Sequence, residues 1–457
     1  MSDSSEALAA GIGAVLGEAT GAEVVVDDVR RLTGGASRET WAARTHSDDG
    51  ERTVVLRRDP PGHGEPARMR AEAACLRAAA DAGVPVPRLI AAGDDAPGID
   101  APYLVTDMVE GEAIARKIQR DEAFAGVRVH LARDMGRVLG LIHRTPTGTL
   151  EMLDDRDPVD LIEAIYHDVD YPRPAVETGL RWLRDHRPDR RPNTLVHGDF
   201  RMGNLLIDNS GIRGVLDWEL AHLGDPIEDL GWLCVRAWRF GQSAPVAGIG
   251  SREDLLDGYR DITGDRPDPD ELHWWEVFGT LRWLVLSRFQ AFRHLGGGEH
   301  SLELAAVGRR VCESEYDLLL ALDLLDDISH DPEVRAEDSR VHDRPALTEV
   351  LDLVSETLRT DVLGALPSER GREKYLLKIC LNLLGMVDRE IGSGADQVAV
   401  TDGLTALGFA DEVSLAQAIR AGDVDPATAD VRHAMSAAVL ARLRVANPRH
   451  VVASRNR

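Results

Sequence analysis

The stretch "HGDFRMGN", residues 197–204, lies between two apolar runs, "TLV" at 194–196 and "LLI" at 205–207. Runs of that length read as short buried strands, so the polar residues fall in the loop joining them. The loop carries a carboxylate, Asp199, and an amide, Asn204, five positions apart. Thirteen residues later a further apolar run, "GVLDWE", delivers Asp217. Three oxygen-bearing side chains are therefore expected at strand ends in one small region. Phosphoryl transfer needs that set. One carboxylate accepts the proton of the attacking hydroxyl, while an amide oxygen and a second carboxylate hold Mg²⁺ against the nucleotide phosphates. Hard oxygen donors suit Mg²⁺, and no His/Cys cluster in the sequence competes for a softer metal. A lone Asp–Asn pair would read as a hairpin whose side chains satisfy turn backbone; Asp217 after a strand moves the reading to chemistry.

The remaining composition bounds the function class. The 457 residues, 43% hydrophobic, suffice for two or three domains with their own cores. A formal net charge of −25 argues against a nucleic-acid partner, which wants a basic face. Cys75, Cys234, Cys312 and Cys380 are scattered, with no CxxC pair, as in a reducing compartment. The N-terminal "MSDSSEALAAGIG" lacks a basic n-region and a long apolar core, and no apolar run reaches a membrane-spanning length. A cytoplasmic location without a membrane partner is the expectation. There are three lysines, Lys117, Lys374 and Lys378, against 50 arginines, a bias that suggests a GC-rich bacterial genome.

Along the chain, "EVVVDDVRRL", "TWAARTH" and "RTVVLRR" read as strands, followed by a helix in "PARMRAEAACLRAAADAG" ending at Gly83. "VPVPRLIAAG" and "APYLVTDMVEG" read as two more strands, so the first 110 residues are expected to be sheet with one helix. Helical periodicity dominates from 112 to 190 and again after the opening motif, where "ELHWWEVFGTLRWLVLSRFQAFRHL" is rich in aromatics. The polar, proline-bounded stretch near 329–345 reads as a linker, and 346–457 as a separate all-α domain of about five helices. The expected organisation is an N-terminal lobe at 1–110, a second lobe at 111–328, the linker, and the helical domain.

Asp199 with Asn204 reproduces the H-x-D-x-x-x-x-N loop of protein-kinase-like enzymes, and Asp217 stands where the metal-binding Asp of such enzymes follows. "LVHGDFRMGNLLID…GVLDWELAHLGDPIEDLGW" resembles the signature region of the aminoglycoside phosphotransferase and choline kinase superfamily. The wording is most similar to the kinase-like domains fused to some acyl-CoA dehydrogenases, over about residues 20–320. The helical domain resembles domains of unknown function appended to such kinases. The resemblance implies an α+β, two-lobed protein-kinase-like fold with ATP and Mg²⁺. It carries Asp199 over as catalytic base, and Asn204 and Asp217 as metal ligands.

In the first lobe, "LTGGASRET" offers Gly34 and Gly35 for backbone approach to phosphates and Ser37 as a hydroxyl, though a plain hairpin would use the same residues. Kinases place a phosphate-binding lysine on the strand that follows, paired with a helix glutamate. No lysine stands there, and "VVLR" puts Arg57 in that register, with Arg58 facing the other side of the strand. Arginine is a sound phosphate ligand, though not equivalent to lysine. Glu72 is the natural helix partner; the alternative is a solvent-facing carboxylate. "YLVTDMVEG" is similar to the inter-lobe hinge, where backbone around Met108 to Glu110 would bind adenine, Met108 itself serving as core packing.

His197 reads as a residue that orients backbone, Asp225 as a helix N-cap in "DPIE" with Glu228 completing a capping box, and Asp229 as a candidate brace for the loop. Helical spacing makes Trp274, Trp275, Trp283, Phe289 and Phe292 core residues or acceptor-pocket walls. Arg282, Arg288 and Arg293 either meet an anionic acceptor or face solvent. The expected activity is a small-molecule O-kinase acting on a hydroxyl acceptor, a hydroxyacyl-CoA-like metabolite before an aminoglycoside. The rival is a nucleotide-binding pseudokinase that regulates a partner through its helical domain. Residues 346–457 are also a candidate surface for homo-oligomerisation or a protein partner.

Overall fold

Leu8, Ile12, Val15 and Leu16 recur at helical spacing, and Asp3–Thr20 forms a helix, α1, that buries all four. Among the described residues, the first 110 therefore hold two helices, not the one expected; the Ala/Gly-rich composition of α1 masks a sound apolar stripe. The computed structural model describes residues 3–32, 38–48, 50–169, 171–298, 300–326, 328 and 347–450. The expected linker at 329–345 lies outside them.

The chain divides into two compact units, Met1–Arg156 with Asp189–Glu276, and Asp157–Pro188 with Val277–Arg457. In the first, strands β1 (Val25–Arg31), β2 (Glu39–Ser47), β3 (Gly50–Arg58), β4 (Leu89–Gly93) and β5 (Tyr103–Asp107) form an antiparallel sheet in the order β1-β2-β3-β5-β4. Side chains alternate across β3. Val54 and Leu56 are fully buried in a core with Leu8, Ile12 and Leu16 of α1. Each such side chain contributes about 1.5–3 kcal/mol of burial. Arg57 therefore points to the opposite face, where helix α2 (Pro66–Asp81) presents Glu72. Proline opens α2 at its first position, and the Val84 amide bonds back to the Ala79 carbonyl around left-handed Gly83, a Schellman ending.

The runs flanking the opening motif are strands, β6 (Thr194–Val196) and β7 (Leu205–Asp208), but they do not form a hairpin. β6 pairs with β9 (His222–Gly224), and β7 with β8 (Gly211–Val215). The loop thus bridges two separate two-stranded sheets. The helices Leu131–His143 and Arg252–Thr263 cross so closely that a Cβ on Gly258 would lie 1.9 Å from the Arg133 carbonyl oxygen. Only glycine permits that crossing, which fixes His143 beneath the loop.

The second unit is helical. Its core joins Ala175, Cys312, Tyr316 and Leu319 to Leu404, Leu415, Ile419, Val431 and Met435. The expected boundary at 346 follows composition, whereas packing groups the C-terminal helices with Pro174–Asp185 and Val311–Ala321 around one core. Among the described residues no helix is long and apolar enough to cross a membrane.

Candidate active site

The loop 197–204 is held from below by Asp229, on the helix Ile227–Cys234. Its fully buried carboxylate accepts the backbone amides of His197 (2.8 Å) and Gly198 (2.9 Å), and lies 3.2 Å from His143 Nε2. Burial pushes this carboxyl up, but hydrogen bonding and charge from His143, with the charge and backbone amide of His197, hold it below the ordinary value. Gly198 has φ +78°, and a Cβ there would stand 2.4 Å from the Leu220 carbonyl oxygen. The His197 ring is buried. Its Nδ1 accepts the Asp199 amide at 3.2 Å and its Nε2 donates to the Leu216 carbonyl at 3.0 Å, so both nitrogens orient backbone.

Asp199 emerges with both oxygens engaged. Arg201 Nε donates to Oδ1 and Oδ2 at 3.0 and 3.1 Å, Trp232 Nε1 to Oδ1 at 2.9 Å, and Asn204 Nδ2 to Oδ2 at 2.7 Å. Arg201 also lies over the Trp238 ring, 5.1 Å from its centroid. Sequence reasoning missed Arg201, Trp232 and Trp238. Arg201 stood inside the quoted motif, and Trp232 follows Asp229 by one helical turn; both signals were available.

The β7–β8 register, with Leu205 opposite Val215, brings Asn204 and Asp217 to one end of that ribbon, where the Leu216 amide bonds the Asn204 carbonyl at 2.8 Å. Asp217 has φ +69°, a left-handed conformation that Asp tolerates better than most residues. The Asn204 amide nitrogen donates to Asp199, so its oxygen is the atom left to serve a cation. One amide and one carboxylate oxygen fit Mg²⁺, which keeps several waters and takes its other ligands from phosphate. Among the described residues no group of three or more His, Cys, Asp or Glu could hold a metal by itself.

Arg57 reaches this end from β3. Its Nη1 donates to Glu72 Oε1 at 2.5 Å and its Nη2 to Asp217 Oδ1 at 2.8 Å. Glu72 is buried, not solvent-facing. Arg58 turns away, bonding Glu39 at 2.9 Å and the Ile99 carbonyl at 2.6 Å. The other Glu72 oxygen pairs with Arg38, which also meets Asp59 at 2.9 Å. Burial works against the Arg38 charge, but Glu72 and Asp59 raise the pKa overall. Arg38 is a further residue that sequence reasoning missed, and its only signal was its place just after the Gly34-Gly35 pair. Gly34, Gly35 and Ser37 lie outside the described residues. Glu219 is exposed and adds its charge to the field at Arg38.

Two expectations are corrected. Met108 is exposed, not core, because the chain leaves β5 there; its amide bonds the Thr53 carbonyl at 3.0 Å, and Glu110 is also exposed. Asp225 accepts the Ile227 amide at 3.0 Å, the capping bond expected of it, and the Arg191 amide at 3.3 Å, but Glu228 meets His222 instead of closing a capping box. On the helix Pro269–Leu295, Trp274, Trp275 and Phe278 are core, Phe292 is exposed, and Arg282 and Arg288 are buried, leaving Arg293 at the surface.

A two-stranded ribbon carrying Asn204 and Asp217, an Asp199 loop, and a sheet arginine paired to a helix glutamate define a kinase-like phosphotransferase site. Residues 28–275 match the model of the phosphotransferase enzyme family, and the chain belongs to that family. Residues 367–450 match the model of a domain of unknown function. The chain is 31% identical over 227 residues to acyl-CoA dehydrogenase family member 10 of Mus musculus, covering 46% of this chain and 20% of that protein. It is 28% identical over 272 residues to acyl-CoA dehydrogenase family member 11 of Pongo abelii, covering 52% and 33%. The chain thus spans a third or less of these relatives' length. A crystal structure from Ralstonia eutropha, assigned to the aminoglycoside phosphotransferases, superposes with a TM-score of 0.52 at 21% identity, covering 65% of this chain and 92% of that one. That likeness is one of fold. The family resemblance read from residues 195–232 is borne out.

Proposed function

We propose that the chain transfers the γ-phosphoryl group of ATP to a hydroxyl group of a small molecule, with Mg²⁺ held by Asn204 and Asp217. The observation that carries this reading is Asp199, fixed by Arg201, Trp232 and Asn204 beside the ribbon end that bears Asp217. Asp199 orients the acceptor hydroxyl and takes its proton as the new O–P bond forms. Arg57, held by Glu72, binds the nucleotide phosphates. Bound Mg²⁺ supplies charge neutralisation on the phosphate oxygens. The Met108 amide is already bonded to Thr53, so adenine recognition falls to the Met108 carbonyl and the Glu110 amide. The four free cysteines suit work in a reducing compartment, the cytoplasm.

For the acceptor we favour a hydroxyacyl thioester over an aminoglycoside, because the relatives with the higher identity are named for acyl-CoA chemistry. The test is an ATP-consumption screen over hydroxyacyl-CoAs, amino sugars and amino alcohols. Asp199→Ala should abolish turnover with any acceptor while nucleotide binding persists; undiminished turnover would sink the proposal. A regulatory nucleotide-binding protein is the second reading, favoured by the Arg57–Asp217 pair. Tight ATP binding with no turnover on any acceptor, and no slow Mg²⁺-dependent hydrolysis, would select it.

A further inference from the structure

The second unit holds a half-open cavity of about 330 Å³ that takes no part in the proposed phosphoryl transfer. One wall is Tyr171, Arg173, Cys312 and Glu315; the other comes from the helices Gly394–Ala406 and Ala429–Ala446, with Ser393 and Arg442. The residues matched by the domain of unknown function thus build half of it. The size is at the low end for small-molecule sites.

The charges that line it pair off, and a cationic excess stands just behind the wall. Glu315 is 1% exposed, and its Oε2 accepts Arg442 Nε and Nη2 at 3.1 and 2.9 Å. Glu412 accepts Arg442 at 2.5 Å and Arg173 at 3.3 Å. Behind Tyr171 lies a third arginine, Arg288, 8% exposed, which donates to the Tyr171 carbonyl at 2.5 Å and lies over the Tyr166 and Tyr171 rings. Three arginines thus meet two carboxylates. The other charged groups at the wall are paired, Arg309 with Glu390 and Arg444 with Asp396. A buried cationic excess is costly, and it stands here in a chain of net charge −25.

Three buried polar atoms of this cluster have no hydrogen-bond partner among the described residues: Arg288 Nη1, Arg173 Nε and Glu315 Oε1. The last two face each other at 3.7 Å, too far for a hydrogen bond. A hydroxyl between them would accept from Arg173 and donate to Glu315. We propose that the cavity binds a small organic oxyanion, a carboxylate or phosphate monoester that also bears a hydroxyl. Its anionic group sits against Arg173 and Arg442, and its hydroxyl lies between Arg173 Nε and Glu315 Oε1.

The experiment is calorimetric titration of the full chain with malate, glycerol 3-phosphate, inorganic phosphate and, as neutral control, glycerol. Malate or glycerol 3-phosphate should bind saturably and raise Tm, glycerol should not, and Arg173→Gln and Ala441→Phe should each weaken binding at least tenfold. Ala441 lines the cavity beside Arg442 and carries no charge, so its replacement fills space without removing charge. On the unaltered chain, the bound anion should slow iodoacetamide labelling of Cys312 relative to Cys75, read by mass spectrometry. The proposal is overturned if neither organic anion binds. It is equally overturned if binding leaves Cys312 labelling unchanged or persists at full strength in folded Ala441→Phe, since the anion then lies elsewhere.

Discussion

Arg57 spans the candidate site, with Nη1 on Glu72 at 2.5 Å and Nη2 on Asp217 Oδ1 at 2.8 Å. It rests a cation on a carboxylate proposed to hold a metal, so bound nucleotide must draw the guanidinium toward phosphate. A charge-assisted hydrogen bond contributes about 1.5–3 kcal/mol, so Arg57→Ala should raise the KM for ATP by roughly ten- to a hundredfold. Arg57→Lys should recover part of this, because one ammonium cannot make both forked contacts. Steady-state kinetics with ATP varied at a saturating acceptor checks both.

Glu72 is shared by Arg38 and Arg57 and is buried. Removing its charge takes one of two carboxylate partners from each guanidinium, leaving Arg38 with Asp59 and Arg57 with Asp217. Breaking a buried pair from one side costs about 3–5 kcal/mol, and the partial exposure of Arg57 places Glu72→Gln near the lower figure. Chemical denaturation should show that loss with an unchanged m-value. Nucleotide affinity should fall alongside, as Arg57 loses its orienting partner.

Asp229 holds two backbone amides of the loop and lies against His143. Asp229→Ala should destabilise the fold by about 3 kcal/mol or more, since the amides would be left buried and unpaired. Its pKa is depressed in the folded state, so its contribution is present above the unfolded value near 3.8. That contribution is lost as pH falls through the lower folded value. Melting between pH 6 and 2 should show stability falling at the acid end in the parent chain and a shallower fall in Asp229→Ala.

Legibility followed distance along the chain. Asp199, Asn204 and Asp217 lie within one short segment, so type and spacing sufficed to group them, and the match of "VVLR" to the kinase strand motif singled out Arg57, with Arg58 on the other side of the strand. Arg38 resisted, and Trp232 was passed over although it sits one helical turn from Asp229, because their importance lies in which side chain they meet. Glu72 and Asp199 become their partners only once α2 and the Asp229 helix are docked. Met108 was misjudged because an apolar residue at a strand exit has no periodic neighbour to say whether it faces in or out. The boundary expected at 346 followed a polar stretch, whereas the core beyond it includes Ala175 and Cys312, far away in sequence.

Trp232 tests whether the donors around Asp199 bear on catalysis or only on folding. Its Nε1–H is 2.9 Å from Asp199 Oδ1, and its ring lies 5.1 Å from that of Trp238. Trp232→Phe keeps an aromatic ring there and removes only the donor. Losing one hydrogen bond to a charged group corresponds to about 1.5–3 kcal/mol, of which Arg201 and Asn204 retain part by holding the carboxylate. We expect kcat to fall by roughly three- to thirtyfold, about 0.7–2 kcal/mol. The KM for ATP should stay put, because the proposed phosphate and adenine contacts lie on Arg57 and the 108–110 segment. A fall in kcat with constant KM and an unchanged Tm would assign Trp232 to positioning Asp199. A lowered Tm with unchanged kcat would instead make it a packing residue.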